Sequence, residues 1–131
     1  MSRVLVIDAS IVVDLLGKFQ SEPIERLLFS PDTALAAPAL LDIEVLHALR
    51  RLDLGGQIPS SRCDLVETLR ALRIRRYAHD SLLDDIWALR RNVTAYDATY
   101  IALARQLDAT LVTRDFRLAA APSAGIRVVV P

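Results

Sequence analysis

Short apolar runs alternate along the chain with longer segments in which apolar residues recur every three or four positions. The clearest run covers residues 3–8 and is almost unbroken, which is typical of a strand buried on both faces of a parallel sheet. Weaker patterns of the same kind predict further strands at residues 35–37, 74–78, 110–113 and 126–130.

The segments between these runs carry helical periodicity and helix-end signals. Ser10 is expected to cap a helix over residues 11–16, and Thr94 to introduce one over residues 97–107. The other helices are predicted at residues 22–29, 39–52, 60–72, 81–91 and 116–120. Strand and helix alternate from end to end, without a repeat or a linker. The sequence therefore predicts one α/β domain over residues 1–131, with a central, mostly parallel sheet flanked by helices on both faces.

Composition narrows the class of protein. Hydrophobic residues make up 53% of the chain and the mean hydropathy is +0.31, which excludes an intrinsically disordered protein. The apolar runs are too short to span a bilayer, and the first residues lack the pattern of a secretory signal. Cys63 is the only cysteine, so no disulfide can form within the chain. We therefore expect a cytoplasmic protein with no membrane partner.

Four acidic residues stand where an α/β sheet places functional groups. Asp8 ends the first strand, Asp115 follows the fourth, and Asp97 lies at the start of a helix. Because ligands bind at the carboxyl edge of parallel strands, these three acids are expected to gather there. Glu44 lies on the border of the apolar stripe of its predicted helix and can reach the same edge.

Each acid also has a purely structural interpretation. Asp8, Asp97 and Asp115 can stabilise helix amino termini, and Glu44 can be a solvated helical residue. Taken singly, the four positions leave both interpretations open. Taken together they favour a bound cation, because four carboxylates at one edge would otherwise repel one another.

The ligand types point to a hard divalent ion. Oxygen-rich clusters favour Mg²⁺ or Mn²⁺ over zinc, and neither the two histidines, His47 and His79, nor Cys63 has zinc-ligand spacing. The chemistry that needs such a cluster is hydrolysis of a phosphodiester, in which the metal activates water and stabilises the leaving oxygen. Ser10 and Thr113 could hold waters or ligand carboxylates beside it.

Three segments resemble the motifs of PIN domains. They are residues 6–10 (VIDAS), 94–104 (TAYDATYIALA) and 111–118 (LVTRDFRL), and Glu44 occupies the second acidic position within residues 38–49. The resemblance extends over essentially the whole chain. In its length and in the sequences of these motifs, the chain is most similar to the VapC toxins of type II toxin–antitoxin systems.

The resemblance implies Mg²⁺- or Mn²⁺-dependent endonuclease action on structured RNA by a homodimer, and a VapB-like antitoxin whose tail occludes the acidic pocket. It implies that Asp8, Glu44, Asp97 and Asp115 are the catalytic metal ligands. Ser10 and Thr113 carry over only as supporting polar residues. Independently of the resemblance, the apolar helices at 65–72 and 82–89 offer more hydrophobic surface than one small domain readily covers, which also predicts a homodimer.

Arginines are the candidates for contact with an RNA backbone. Arg114 could bind a substrate phosphate, and Arg75 and Arg76 form a second hypothetical contact surface. A solvated surface position is the alternative for all three.

Two other functions fit parts of the sequence. A receiver or phosphatase-like α/β domain could use Asp8 as a nucleophile. However, such phosphatases need an aspartate two residues later, where Ser10 stands, and both classes need a late lysine, whereas Lys18 is the last one. The other alternative is a catalytically inactive PIN-like binding module, which a metal titration would distinguish because such a module has no reason to keep a hard-cation site.

Overall fold

The candidate acids are arranged around a parallel sheet. The computed structural model describes residues 3–121 and 125–131, so residues 1–2 and 122–124 of the predicted domain lie outside the description. The strands are β1 (Arg3–Ile7), β2 (Thr33–Pro38), β3 (Ile74–Tyr77), β4 (Thr110–Val112) and β5 (Val128–Val129). They pair in the order β3-β2-β1-β4-β5, and every pair is parallel. The predicted α/β fold with a mostly parallel sheet is confirmed.

Helices connect consecutive strands. They are α1 (Ala9–Gly17), α2 (Glu22–Leu28), α3 (Leu40–Leu54), α4 (Leu65–Ala71), α5 (Leu83–Ala88), α6 (Ala95–Gln106) and α7 (Phe116–Ala119). A short 3₁₀ turn, Asp80–Leu82, precedes α5. No helix in the described part of the chain is long and apolar enough to cross a membrane.

The strand order creates a crevice at one place on the sheet. From β1 the chain moves outward to β2 and β3, then returns to the other side of β1 for β4 and β5. Because parallel crossovers are almost always right-handed, the two directions of travel put α1–α4 on one face and α5–α7 on the other. The direction reverses between β1 and β4, and ligands bind at such a reversal, outside the carboxyl ends of the strands.

The core is built on β1 and α6. Leu5, Val6 and Ile7 of β1 are at most 1% exposed. Helix α6 packs against β1, β2 and β4, and all its residues from 98 to 104 are buried. A helix buried on this scale is fixed by packing on several sides, which holds the residues of its first turn rigidly at the carboxyl edge of the sheet.

Some predicted boundaries differ from the structure. The cap of α1 is Asp8, not Ser10, because the Asp8 carboxylate accepts the N–H of Ile11 at 3.3 Å while Ser10 lies inside the first turn. The segment predicted as one helix at 81–91 is instead the 3₁₀ turn followed by α5. Helix α4 starts five residues later than the earliest start predicted from the sequence, residue 60.

Candidate active site

Asp8 lies at the centre of the crevice. Its backbone N–H donates to the carbonyl of Val112, which joins the end of β1 to β4. One carboxylate oxygen accepts from the Ser10 hydroxyl at 2.6 Å as well as from the N–H of Ile11, and the other accepts from the Thr113 hydroxyl. Asp8 is therefore held by residues on both sides of the strand-order reversal.

Burial dominates the electrostatics of Asp8. The residue is only 6% exposed, and desolvation raises the pKa of its carboxyl group to about 6. Hydrogen bonds from Ser10, Thr113 and Ile11 pull the pKa down, and the nearby charge of Asp115 pushes it up. A carboxylate kept in such a site is costly for the fold, which is a feature of functional groups more often than of simple helix caps.

Asp115 is placed by the turn that follows β4. The Thr113 hydroxyl, which donates to Asp8, accepts the backbone N–H of Asp115 at 2.9 Å. The Asp115 carboxylate caps α7 by accepting the N–H of Arg117 at 2.9 Å and that of Leu118 at 3.4 Å. Its other oxygen forms a 3.5 Å ion pair with the exposed Arg117 guanidinium. The structural interpretation of Asp115 as a cap is thus satisfied, and the residue still lies beside Asp8.

Glu44 reaches the site from α3. The amino terminus of this helix is fixed by His79, whose Nε2 accepts the N–H of Leu40 at 2.9 Å, and by the carbonyl of Tyr77, which accepts from Ala39. One oxygen of Glu44 accepts the hydroxyl of Tyr100 at 2.6 Å. Partial burial raises the pKa of Glu44, the Tyr100 hydrogen bond lowers it, and the charge of Asp97 raises it.

Tyr100 is the supporting residue that the sequence interpretation missed. It lies on α6, one helical turn after Asp97, and is 2% exposed. Burial and the hydrogen bond to Glu44 raise the pKa of the Tyr100 hydroxyl far above its ordinary value, so it stays a donor. A signal was present, because Asp97 and Tyr100 share one face of a helix at i, i+3 spacing. The sequence could not tell that Glu44 faces this hydroxyl.

Asp97 stands in the first turn of α6. Its backbone N–H donates to the Thr94 hydroxyl at 3.2 Å, so the predicted cap by Thr94 is present. Desolvation raises the pKa of the Asp97 carboxyl group, the Arg117 charge lowers it, and the Asp115 charge raises it.

The four acids form one electrostatic group. Asp115 raises the pKa of Asp8 and of Asp97, and Asp97 raises that of Glu44. None of the ion pairs between described residues involves Asp8, Glu44 or Asp97. Each of the four acids therefore lies close enough to at least one other for their charges to interact.

The donor set fits a hard cation in chemistry and charge. It consists of carboxylate oxygens backed by hydroxyl groups, with mutual repulsion that a cation would relieve. As the side chains stand, no three His, Cys, Asp or Glu residues within 3–121 and 125–131 are grouped closely enough to hold a metal ion. Each acid instead faces protein donors, namely Ser10 and Thr113 for Asp8, Tyr100 for Glu44, Thr94 for Asp97, and Arg117 for Asp115.

The Arg114 guanidinium is hydrogen-bonded within the protein, unlike the free side chain expected of an RNA contact. Its guanidinium donates to Asp14 and to the carbonyls of Phe19, Gln20 and Pro131, at 2.7–3.2 Å. Its side chain is only 17% exposed. With its donors used in this way, Arg114 ties the loop after α1 to the end of β4 and has little left to offer a phosphate.

Arg75 and Arg76 also differ from each other. Arg76 donates two hydrogen bonds to Asp42, at 2.8 and 3.0 Å, and a third to the carbonyl of Ile74. Arg75 is exposed and stacks over the ring of Tyr77, with 5.0 Å to its centroid. Of this pair only Arg75 keeps its donors free for another ligand.

Comparison with known proteins identifies the family of the chain. The PIN domain family matches residues 5–123. The chain is 47% identical over 120 residues to Ribonuclease VapC1 of Mycobacterium tuberculosis, which covers 89% of this chain and 90% of that protein. It is 38% identical to Ribonuclease VapC3 of the same species over 122 residues, covering 92% and 89%.

Solved structures bear on the fold. The VapBC2 structure from Rickettsia felis, bound to a DNA fragment from its promoter, superposes with a TM-score of 0.70 at 14% identity and covers 97% of this chain and 98% of that one. A toxin–antitoxin complex from Klebsiella pneumoniae gives a TM-score of 0.58 at 19% identity, covering 95% of each chain. By its domain match and its identity to these relatives, the chain belongs to the PIN-domain family, in the group of the VapC ribonucleases.

Proposed function

We propose that the protein is the toxin of a VapBC-type toxin–antitoxin module and acts in the cytoplasm as an endoribonuclease dependent on Mg²⁺ or Mn²⁺. The observation that supports the proposal is a chain of three charge interactions near the reversal of strand order, which links Asp8 to Asp115, Asp115 to Asp97 and Asp97 to Glu44. The ribonuclease relatives, each matched over about nine-tenths of this chain, support the reaction class.

The metal would be held by Asp8, Glu44, Asp97 and Asp115. When bound, such an ion lowers the pKa of a water molecule and stabilises negative charge on the leaving oxygen of the phosphodiester.

The chain's own residues supply orientation. Ser10 and Thr113 fix both oxygens of Asp8, and Tyr100 fixes one oxygen of Glu44. Rigid backing of this kind keeps ligand carboxylates in place without reorganisation during the reaction. Because α6 is buried, Asp97 and Tyr100 are also held at a constant spacing.

We also propose a VapB-like antitoxin as partner, supported by the similarity to the two toxin–antitoxin structures. Occlusion of the acidic site by the antitoxin is supported by the partial exposure of Glu44, Asp97 and Asp115, whose negative charge a basic side chain could neutralise.

A homodimer is supported by exposed apolar residues on α4 and α5. Val66, Leu83 and Trp87 are 47%, 54% and 68% exposed, and burial of such side chains drives association. Light scattering at micromolar concentration is expected to give twice the chain mass of 14.5 kDa. A mass equal to that of one chain would contradict the dimer.

The function is tested by incubating purified protein with RNA and mapping the new ends. We expect internal cleavage in Mg²⁺ or Mn²⁺ and none after EDTA, because the acids alone cannot activate water. Expressed without an export signal, the chain should arrest bacterial growth, and co-expression of its genomic neighbour should relieve the arrest. Metal-independent cleavage would contradict the mechanism, and absence of cleavage together with absence of metal binding would favour the inactive binding module.

A further inference from the structure

A basic pocket adjoins the acidic site on the side of α7. It has a volume of about 580 Å³ and lies between the connection from α5 to α6 and the end of α7. Its lining includes Arg90, Arg91 and Arg117, and Asp97 forms part of the wall. Three arginines thus border a cavity that opens directly beside one of the proposed ligands.

The arginines of this pocket have donors to offer. Arg91 is exposed and makes no hydrogen bond or ion pair with another described residue. Arg117 is 78% exposed, and its contact with Asp115 is a surface ion pair of 3.5 Å, which contributes little to stability. Exchanging that ion pair for a phosphate therefore costs the fold almost nothing.

Arg90 adds charge at the rim. Its guanidinium stacks 4.5 Å from the ring centroid of Trp87 and donates one hydrogen bond to the Trp87 carbonyl. This leaves the positive charge in place without using all of its donors.

The chemistry of the pocket matches a nucleic-acid backbone. Guanidinium groups bind phosphate oxygens with two parallel hydrogen bonds, and a strand crossing the acidic site must place phosphates on either side of it. Arg114 and Arg76, by contrast, have most of their donors occupied within the protein.

We propose that the arginine pocket, formed by Arg90, Arg91 and Arg117 beside Asp97, binds backbone phosphates of the RNA strand next to the cleaved bond. The inference rests on the proposed ribonuclease function and assigns that site its substrate-binding surface. The pocket recognises charge and spacing rather than base identity, since it offers guanidinium donors to the backbone.

The test compares the double variant Arg91→Ala/Arg117→Ala with the control Arg26→Ala. Arg26 forms an ion pair of 3.6 Å with Glu22 and is 70% exposed, so it is comparable to Arg117 in exposure and in having a surface ion pair. It lies on α2, which ends just before the start of β2 and so approaches the opposite edge of the sheet. Binding of a fluorescent single-stranded RNA is measured by anisotropy in EDTA, where the strand stays intact, over a range of salt concentrations.

We expect the double variant to bind RNA at least about 10-fold more weakly than the parent, since each substitution removes a charge-assisted hydrogen bond to the backbone. The slope of log K against log salt should fall in magnitude by about 0.7 for each phosphate that the variant no longer neutralises. Arg26→Ala should match the parent, and all three proteins should melt at similar temperatures because the replaced side chains are exposed.

If the double variant and the parent had equal RNA affinity and equal salt slope, the proposed binding of RNA by the pocket would be wrong. It would also be wrong if Arg26→Ala lost as much affinity as the double variant. Absence of RNA binding by the parent would overturn it too. Cleavage by the parent in Mg²⁺ is measured in parallel. If the parent cuts RNA while the double variant binds normally, the pocket fails and the proposed function stands; if the parent never cuts, the function itself fails.

Discussion

Asp97→Asn is expected to remove RNA cleavage in Mg²⁺ while leaving the fold intact. The change replaces the carboxylate by a neutral carboxamide of nearly the same shape, so a hard cation loses an anionic ligand. Mutation of a residue that only supports a metal ligand typically lowers metal affinity or activity by about 10–100-fold. Loss of a ligand itself should therefore slow cleavage by at least about 100-fold. The helix is spared, because the backbone N–H of Asp97 still donates to the Thr94 hydroxyl, and the asparagine carbonyl can replace the carboxylate in the side-chain hydrogen bond with Thr94.

The measurement is the initial rate of cleavage of a labelled RNA over a range of Mg²⁺ concentrations, alongside thermal unfolding. Asp84→Asn is the matched control, since Asp84 is also a first-turn acid of a helix and lies on the surface. The control should cut RNA at the parent's rate. Parent-like cleavage by Asp97→Asn would remove Asp97 from the ligands, and a loss of stability larger than the control's would make its role structural.

Asp8→Asn is expected to abolish cleavage and, in the absence of metal, to stabilise the fold. Asparagine keeps a carbonyl oxygen that can accept from Ile11 and Ser10, and its amide can donate to the Thr113 hydroxyl oxygen. The variant therefore retains the cap but loses the buried negative charge. Activity falls because the ligand at the centre of the site has lost its charge.

The sign of the stability change follows from the pKa of Asp8. Burial raises it from 3.8 to about 6, so near neutral pH the folded protein carries a charge that costs about 3 kcal/mol relative to the unfolded chain. As the pH falls from about 6 towards 4, Asp8 is protonated in the folded state before it is protonated in the unfolded chain. The destabilisation that its charge causes in the parent protein therefore decreases. The advantage of Asp8→Asn should thus be about 1–3 kcal/mol at pH 7–8 and should vanish near pH 4.

Denaturant unfolding of both proteins in EDTA, at several pH values between 4 and 8, measures this difference. Adding Mg²⁺ should stabilise the parent and not the variant, because only the parent binds the ion in its folded state. A variant less stable than the parent at pH 7.5 would mean that the carboxylate is needed as a cap. A variant stabilised by Mg²⁺ as strongly as the parent would mean that Asp8 is not a ligand.

The local placement of each acid could be predicted from the sequence. An unbroken apolar run locates Asp8 at a strand end, and Thr94 three residues before Asp97 marks a helix start. These features depend on neighbours within one or two helical turns. The prediction failed between Asp8 and Ser10, because both can cap a helix and only the fold decides which oxygen meets the free N–H of Ile11.

The supporting residues could not be found in this way. Tyr100 and Glu44 are 56 residues apart, and the hydroxyl reaches the carboxylate only because α3 and α6 are both packed onto the sheet. Arg114 resembled a free surface arginine until the loop after α1 was seen to surround its guanidinium. Arg91 and Arg117 belong to separate segments, and no periodicity joins them.

The sequence was enough to predict an alternating α/β chain with three acids at the ends of strands and the beginnings of helices and a fourth within a helix, since short-range apolar patterns and capping rules act between near neighbours. The tertiary structure alone decided that β4 pairs beside β1, which lets Thr113 donate to Asp8 across 105 residues of chain. It also decided which arginines have their donors occupied within the protein and which line the pocket beside Asp97. The physical reason is that strand order and helix packing are set by burial of the whole core, a sum over contacts that no local pattern contains.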